Sequence, residues 1–388
     1  MPQDKIEITP KDIEYAERIL LPDGQTFDPE RRDFIHNLDT IDLQAVPGSG
    51  KTTALLAKLL IIDRKLPFKD GSGILVISHT NSAIDEIRDK LCRHCHRLFA
   101  YPNFVGTIQS FVDRFLAIPY YSNKFKKAPL RIDNEIYEER HYRPPGAEGW
   151  LSNRNNADDI LYKSRLIGED ELVMLSVVKF PLTNKSMRAY QSILKMKQDV
   201  RERGFLCFDD AYILAFEYMR QFPQIKTLLQ KRFRYIFVDE MQDMDSSQYE
   251  VLEKIFYDGD NRGSYFQRIG DINQAIYSED VKLDKVWALR YKTLPLRGSF
   301  RLTPQNARVV QSFALDKGVQ IDGRGKNLDD SEITIKPHMI VFDDGSIQQV
   351  IPQYAQIIKD LQERGQIPVN PVPSFKAIGW RKKKNPGS

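Results

Sequence analysis

Apolar and polar positions along this chain follow two periods, and the switches between them outline a series of strand–helix units. The run Ile41-Asp42-Leu43-Gln44 predicts a short strand, and the stretch from Thr52 to Ile62 a helix. Gly73-Ile74-Leu75-Val76-Ile77-Ser78 is continuously apolar, as in a strand buried on both faces. After it, Thr80 or Asn81 can cap a helix on which Ile84, Ile87, Leu91, Cys95 and Leu98 share one face. A third unit is Asn103 to Thr107 followed by a helix from Ser110 to Leu116. The rhythm fails over residues 118–200, where helical pieces flank a loop, His141 to Ala157, that contains proline and glycine. It returns with a strand at Tyr235 to Val238, a helix at Ser246 to Phe256, a strand at Tyr265 to Ile269 and a helix at Pro304 to Leu315. Upstream, Lys11 to Leu20 reads as a helix before a turn at Pro22-Asp23-Gly24. Downstream of residue 316, a charged linker leads to a strand at His338 to Phe342, a helix at Ile351 to Arg364 and a last strand beginning in Phe375 to Trp380.

Composition narrows the class. At 388 residues the chain can bury two or three cores of ordinary size, and 41% apolar with 28% charged residues is usual for a globular protein. No apolar run reaches the ~18 residues of a membrane span, so no membrane partner is expected. Met1-Pro2-Gln3-Asp4-Lys5 lacks the apolar centre of a secretory signal. Three cysteines make no disulfide framework, and the expectation is a reducing cytoplasm. A net charge of +4 is too small to imply nucleic-acid binding by itself, so any such contact must come from local patches.

The sharpest chemical signal is Ala45-Val46-Pro47-Gly48-Ser49-Gly50-Lys51-Thr52, a Walker A loop between a strand and a helix. Small residues let backbone amides curl round a phosphate, and the helix N-terminus adds partial positive charge. Lys51 is then expected to reach the β- and γ-phosphates of ATP, and Thr52 to ligate Mg²⁺, with Thr53 beside it. Ala45 stands where the first glycine of such loops is usual. Asp239-Glu240 follows an apolar strand as a Walker B pair does. Asp239 is expected to hold Mg²⁺ with Thr52, and Glu240 to orient and deprotonate a water. The competing reading of the acidic pair is a solvated turn. Cys92-Arg93-His94-Cys95-His96 has metal-ligand residue types, but on a continuous helix consecutive ligands point different ways.

These boxes resemble those of superfamily 1A helicases of the UvrD/Rep/PcrA type. Asp239-Glu240-Met241-Gln242-Asp243 is similar to the DExQD box, Ser78-His79-Thr80-Asn81 to TFTN and Gly106-Thr107-Ile108-Gln109-Ser110-Phe111 to GTxHSF. Phe208-Asp209-Asp210 resembles the DFDDL segment, Gly270 to Tyr277 the GDxxQSIY box and Ser299-Phe300-Arg301 the NYR box. With Walker A, seven boxes run in order over residues 45–301. The resemblance implies that Gln274 senses the γ-phosphate, that Arg301 is an arginine finger and that Phe300, in the place of a tyrosine, stacks on adenine. It also implies that His79, Thr80, Asn81, Thr107, Gln109 and Tyr277 line a track for single-stranded DNA. For each of these taken singly, a capping or core role competes. Tyr120 to Lys127, basic and aromatic together, suits a strand-binding surface or a solvated loop.

Several positions depart from the family. Arg31 stands where its adenine-reading glutamine is expected, and Gln25 is a poorly placed substitute. His79 and Gln109 replace a phenylalanine and a histidine. After Tyr277 the chain reads Ser278-Glu279-Asp280-Val281 in place of an aromatic and an RGA run.

The expected fold is α/β: a P-loop parallel sheet with helices on both faces, an inserted mainly helical subdomain and a partial second RecA-like domain. The expected division is residues 1–117 and 200–315 for the ATPase motor domain, 118–199 for the insertion and 316–388 for the start of the second domain. The expected activity is ATP hydrolysis by a DNA helicase motor moving on single-stranded DNA. The chain reads as truncated, so full activity would need the missing half or a partner such as a nuclease or repair protein, in DNA repair or anti-phage defence. The alternative is a nucleotide-switched module that binds DNA or a nuclease without appreciable helicase activity.

Overall fold

A computed structural model describes residues 5–174, 181–182, 184–257, 263–275, 287–327, 331–333 and 335–367. Its centre is a six-stranded sheet: β1 (Asp42–Ala45), β2 (Gly73–Ser78), β3 (Phe104–Thr107), β4 (Phe233–Val238), β5 (Tyr265–Gly270) and β6 (Thr293–Leu296). The spatial order is β6-β1-β5-β4-β2-β3, and every neighbouring pair is parallel. The expected α/β fold, a parallel sheet with helices on both faces, is therefore present. All six strands end at one edge, where loops are free to differ without disturbing the ladder.

Alternation along β2 and β4 divides the core in two. Ile74, Val76, Tyr235 and Phe237 face one layer, packed by α1 (Pro10–Leu20), α2 (Pro29–His36), α3 (Lys51–Lys65) and α4 (Asn81–Leu91). Leu75, Ile77, Ile236 and Val238 face the other, covered by the helices Phe208–Gln221 and Ser246–Phe256 and by residues 108–121. Two continuous apolar strands thus hold two separate helical layers.

A third cluster, from Tyr137 to Cys207, belongs to the inserted lobe around the helix Arg188–Glu202. It includes an antiparallel hairpin, Ser164–Ile167 with Glu171–Met174. The loop expected from His141 to Ala157 holds a short helix, Glu148–Ser152. Tyr120 and Tyr121 pack into the core of the sheet, and the Tyr121 hydroxyl donates to the Arg201 carbonyl at 2.8 Å. These two aromatics are therefore core residues and not part of a nucleic-acid surface.

Other expectations are corrected. α2 is a helix that the apolar pattern does not predict, although Asp28 as N-cap and Pro29 at the first helical position are its ordinary start signals. α4 ends at Leu91, so Cys92 to His96 do not lie on a continuous helix; Cys92 is exposed and Cys95 buried. Cys95 and Leu98 nevertheless reach the same core as Ile84, Ile87 and Leu91. His338 to Phe342 forms no strand: it is irregular, and Met339 and Val341 are exposed. Alternating apolar residues make a strand only where a partner edge is available. The helix expected at Ile351 to Arg364 is present as Val350–Glu363, with Leu361 its one buried residue. The strand expected from Phe375 to Trp380 lies outside the described residues.

Candidate nucleotide and nucleic-acid site

The edge where the strands end collects most of the motif residues. After β1 the loop turns through Gly48 (φ +72°) and Gly50 (φ +71°), conformations that favour glycine, and Gly50 caps α3 at Lys51. A Cβ on Gly48 would run into Arg301, so only a bare α-carbon lets the loop lie against that segment. The segment is also bonded to the loop: Ser299 Oγ donates to the Pro47 carbonyl at 2.6 Å and Phe300 N to the Gly48 carbonyl at 3.0 Å. Arg301 itself is exposed, directly over Gly48.

Lys51 Nζ meets Glu240 Oε2 at 2.7 Å. Glu240 has φ +52°, a left-handed conformation unusual for a residue with a side chain, and it turns the carboxylate back toward the lysine. Gln242 Nε2 donates to the same Glu240 oxygen at 2.5 Å, while Gln242 Oε1 accepts from Asp271 N at 3.0 Å. One amide thus ties the ends of β4 and β5 together. Sequence alone does not reveal this role of Gln242, because its partners Glu240 and Asp271 follow two different strands.

Charge in this cluster is strongly coupled. Burial pulls the Lys51 pKa down, but Asp239, Glu240 and Asp271 outweigh it and leave the ammonium above its ordinary value. Asp239 is pushed up to about 6 by burial, with Glu240 adding and Lys51 opposing. Asp271 is likewise pushed up to about 6 by burial, against the Asn273 amide and Lys51. Asp271 Oδ2 and Ser49 Oγ are buried without a hydrogen-bond partner among the described residues. Orphaned oxygens beside a carboxylate pair and the half-buried Thr52 are hard donors of the kind that suit Mg²⁺. Thr53 is also half-buried on the first turn of α3.

Gln274 ends a short 3₁₀ turn, Ile272–Gln274, after Asp271. Asn273 of that turn bonds Asp316 through both its amide oxygen, at 2.9 Å, and its nitrogen, at 3.2 Å. Gln25 sits exposed in a turn closed by its own amide on Pro22, and among the described residues no contact joins it to the phosphate loop. Arg31 does meet the loop: its guanidinium donates to the Ser49 carbonyl and lies 4.5 Å from the Phe300 ring centre.

On the β2–β3 side, Ser78 pairs in register with Thr107, so the two expected nucleic-acid boxes lie side by side. Thr80 caps α4 through Ala83 N at 3.3 Å, and Thr107 caps the next helix through Ser110 N at 3.2 Å. Asn81 opens α4 exposed, and Gln109 donates to Asp113 at 2.8 Å. His79 is half-buried, its Nδ1 has no partner among the described residues, and it lies close enough to Asp243 to oppose the rise that burial gives that carboxyl. Tyr277 lies outside the described residues.

The family model described as the UvrD/REP helicase N-terminal domain matches residues 28–278. The chain is similar to the ATP-dependent DNA helicase Rep of Buchnera aphidicola, 25% identical over 60% of this chain and 34% of the relative. It is similar to a probable DNA helicase II homolog of Mycoplasma capricolum, 24% identical over 71% of this chain and 39% of the relative. It is also similar to the ATP-dependent DNA helicase PcrA of Leuconostoc citreum, 26% identical over 61% and 31%. The chain thus spans about a third of the length of these curated relatives.

Proposed function

Because this chain belongs to the UvrD/REP helicase family, we propose that its sheet edge is a nucleoside-triphosphate hydrolysis site driving movement along single-stranded DNA. The observation that carries the proposal is the Lys51–Glu240 contact at 2.7 Å, with Asp239 and Asp271 beside it. In this reading, the amides of the loop from Ala45 to Gly50 cradle the phosphates and Lys51 reaches the β- and γ-oxygens. An arriving triphosphate competes with Glu240 for the ammonium. Glu240 is thereby released to take a proton from water attacking the γ-phosphorus in line. Thr52 and Asp239 would hold Mg²⁺, which supplies charge neutralisation on the phosphates. Arg301 adds positive charge as the bond to the leaving oxygen lengthens, and Gln274 reports the γ-phosphate to the turn that grips Asp316. Phe300 gives the base a ring to stack on. His79, Thr80, Asn81, Thr107 and Gln109 flank the path proposed for the DNA strand.

Two measurements on the purified chain test this. Oligo(dT) should bind with an affinity that falls steeply with salt and changes on adding a non-hydrolysable triphosphate. Phosphate release from ATP should rise when the oligonucleotide is added. Absence of both responses would overturn the motor reading.

A further inference from the structure

Arg31 is 2% exposed and touches four partners. It sits in the first turn of α2, where Asp28 accepts both its backbone amide, at 3.1 Å, and one guanidinium nitrogen. The other terminal nitrogen donates to the carbonyls of Ser49 in the phosphate loop and Gly298 at 2.7 Å. The guanidinium carbon lies 4.5 Å from the centre of the Phe300 ring, while Phe300 remains 55% exposed. Asp28 also accepts from Arg324, which extends the network to the short strand Asp322–Gly323.

This arrangement has a chemical consequence at the open face of Phe300. A guanidinium carries only donors: both terminal nitrogens of Arg31 serve protein acceptors, and its buried Nε–H, without a partner among the described residues, is a donor as well. Adenine and guanine differ at position 6, as an amino donor against an oxo acceptor. Selecting adenine by that group needs a hydrogen-bond acceptor, which Arg31 lacks. Its charge behind the ring draws electron density toward itself and leaves the outer face electron-poor, a surface that favours any electron-rich purine. Stacking alone tolerates every base, because each has a π-face.

We propose that the nucleoside subsite of this chain is base-permissive among purines, with Phe300 as the stacking platform and Arg31 as the residue that positions it. The inference rests on the triphosphate site proposed above and adds the substrate class that the site accepts.

The test is competition of Mg·ATP and Mg·GTP against a fluorescent triphosphate on the whole chain. The two apparent dissociation constants should agree within about threefold, as stacking without edge recognition allows. Tighter binding of ATP by about tenfold or more would overturn the proposal, since that margin requires hydrogen-bonded discrimination. If neither nucleotide competes, the triphosphate site itself fails and the inference falls with it. F300A should weaken both nucleotides about fivefold or more with their ratio unchanged; a changed ratio would show that the base edge is read elsewhere. R31Q supplies an acceptor and removes the charge, so its ratio should move toward ATP. An unmoved ratio in an R31Q protein that still binds would remove Arg31 from this role, because a merely structural part lowers both affinities alike.

Discussion

Lys51 at the proposed triphosphate site and Lys197 in the inserted lobe are both withdrawn from water, yet their surroundings drive them in opposite directions. Around Lys51 three carboxylates, on Asp239, Glu240 and Asp271, outweigh burial and hold the ammonium charged. Lys197 is 1% exposed among Tyr137, Arg165, Cys207 and Asp210; burial, reinforced by Arg165, pushes it down to about 7. The cleft concentrates opposite charge with unfilled polar positions, such as Asp271 Oδ2 and Ser49 Oγ. In the lobe, Lys197 and its neighbours are enclosed by a core that runs from Tyr137 to Cys207. A perturbed lysine is therefore not in itself a sign of chemistry. What separates the two is whether the perturbing groups leave room and charge for a substrate.

The strongest way to sharpen this contrast is E240Q. The glutamine keeps the shape, but it cannot accept a proton and no longer neutralises Lys51. Hydrolysis should fall by roughly 10²–10⁴, while triphosphate affinity holds or rises because the lysine is free. Single-turnover phosphate release and equilibrium binding measured on the same sample decide it. Loss of binding in a folded E240Q protein would mean that the carboxylate serves the loop's structure and not the reaction.

Gln242 should show a smaller effect on the same side of the comparison. Its amide holds Glu240 at 2.5 Å and receives the Asp271 amide at 3.0 Å. Q242A frees the carboxylate to adopt other orientations, which should lower hydrolysis about tenfold with triphosphate affinity little changed. It should also cost about 1–3 kcal/mol of stability through the buried Asp271 amide left unpaired. A thermal melt beside the rate measurement separates the two consequences. Unchanged hydrolysis would mean that Glu240 is held by its left-handed backbone alone.

How much of this was legible in the chain depends on the distance between partners. Gly48, Gly50, Lys51 and Thr52 are contiguous, so the sequence alone dictates a loop followed by a helix. The strand of Asp239 and Glu240 announced itself by its apolar run. Arg31 stands out in the sequence only as a departure from the family; its contacts could not be read, because its partners Ser49, Gly298 and Phe300 are scattered and meet only when β6 lies beside β1. The buried pair of Asp42 and Arg268, bonded at 2.5 and 2.7 Å and joined by Glu253 and Arg290, was hidden for the same reason. It needs β5 inserted next to β1, an order that local pattern does not encode. Thr80 and Thr107 were legible only as two competing roles. Both cap helices, at the paired ends of β2 and β3 where the proposed DNA path runs, so capping does not exclude the proposed contact. His338 to Phe342 failed because periodicity describes a strand's faces and not whether a neighbour exists to receive it.

The mildest test leaves the cleft untouched and asks whether the lobe's lysine is only a packing group. Lys197 has a folded pKa of about 7, below the ordinary lysine range, so between those values the unfolded chain binds one more proton than the folded one. Stability then rises with pH across that window, by at most about 1.4 kcal/mol for each unit, and is lowest below pH 7, where the buried ammonium is charged. K197M replaces the charge with an apolar chain of similar length. Melts of the two proteins between pH 6.5 and 9 should converge as pH rises, with the variant the more stable at the acid end. Triphosphate binding should be the same in both. If the wild-type curve does not climb relative to the variant, the ammonium keeps its proton through the Tyr137 hydroxyl at 3.3 Å and the nearby carboxylates. The lobe would then hold its lysine charged as the cleft does, and the contrast between the two regions would rest on access alone.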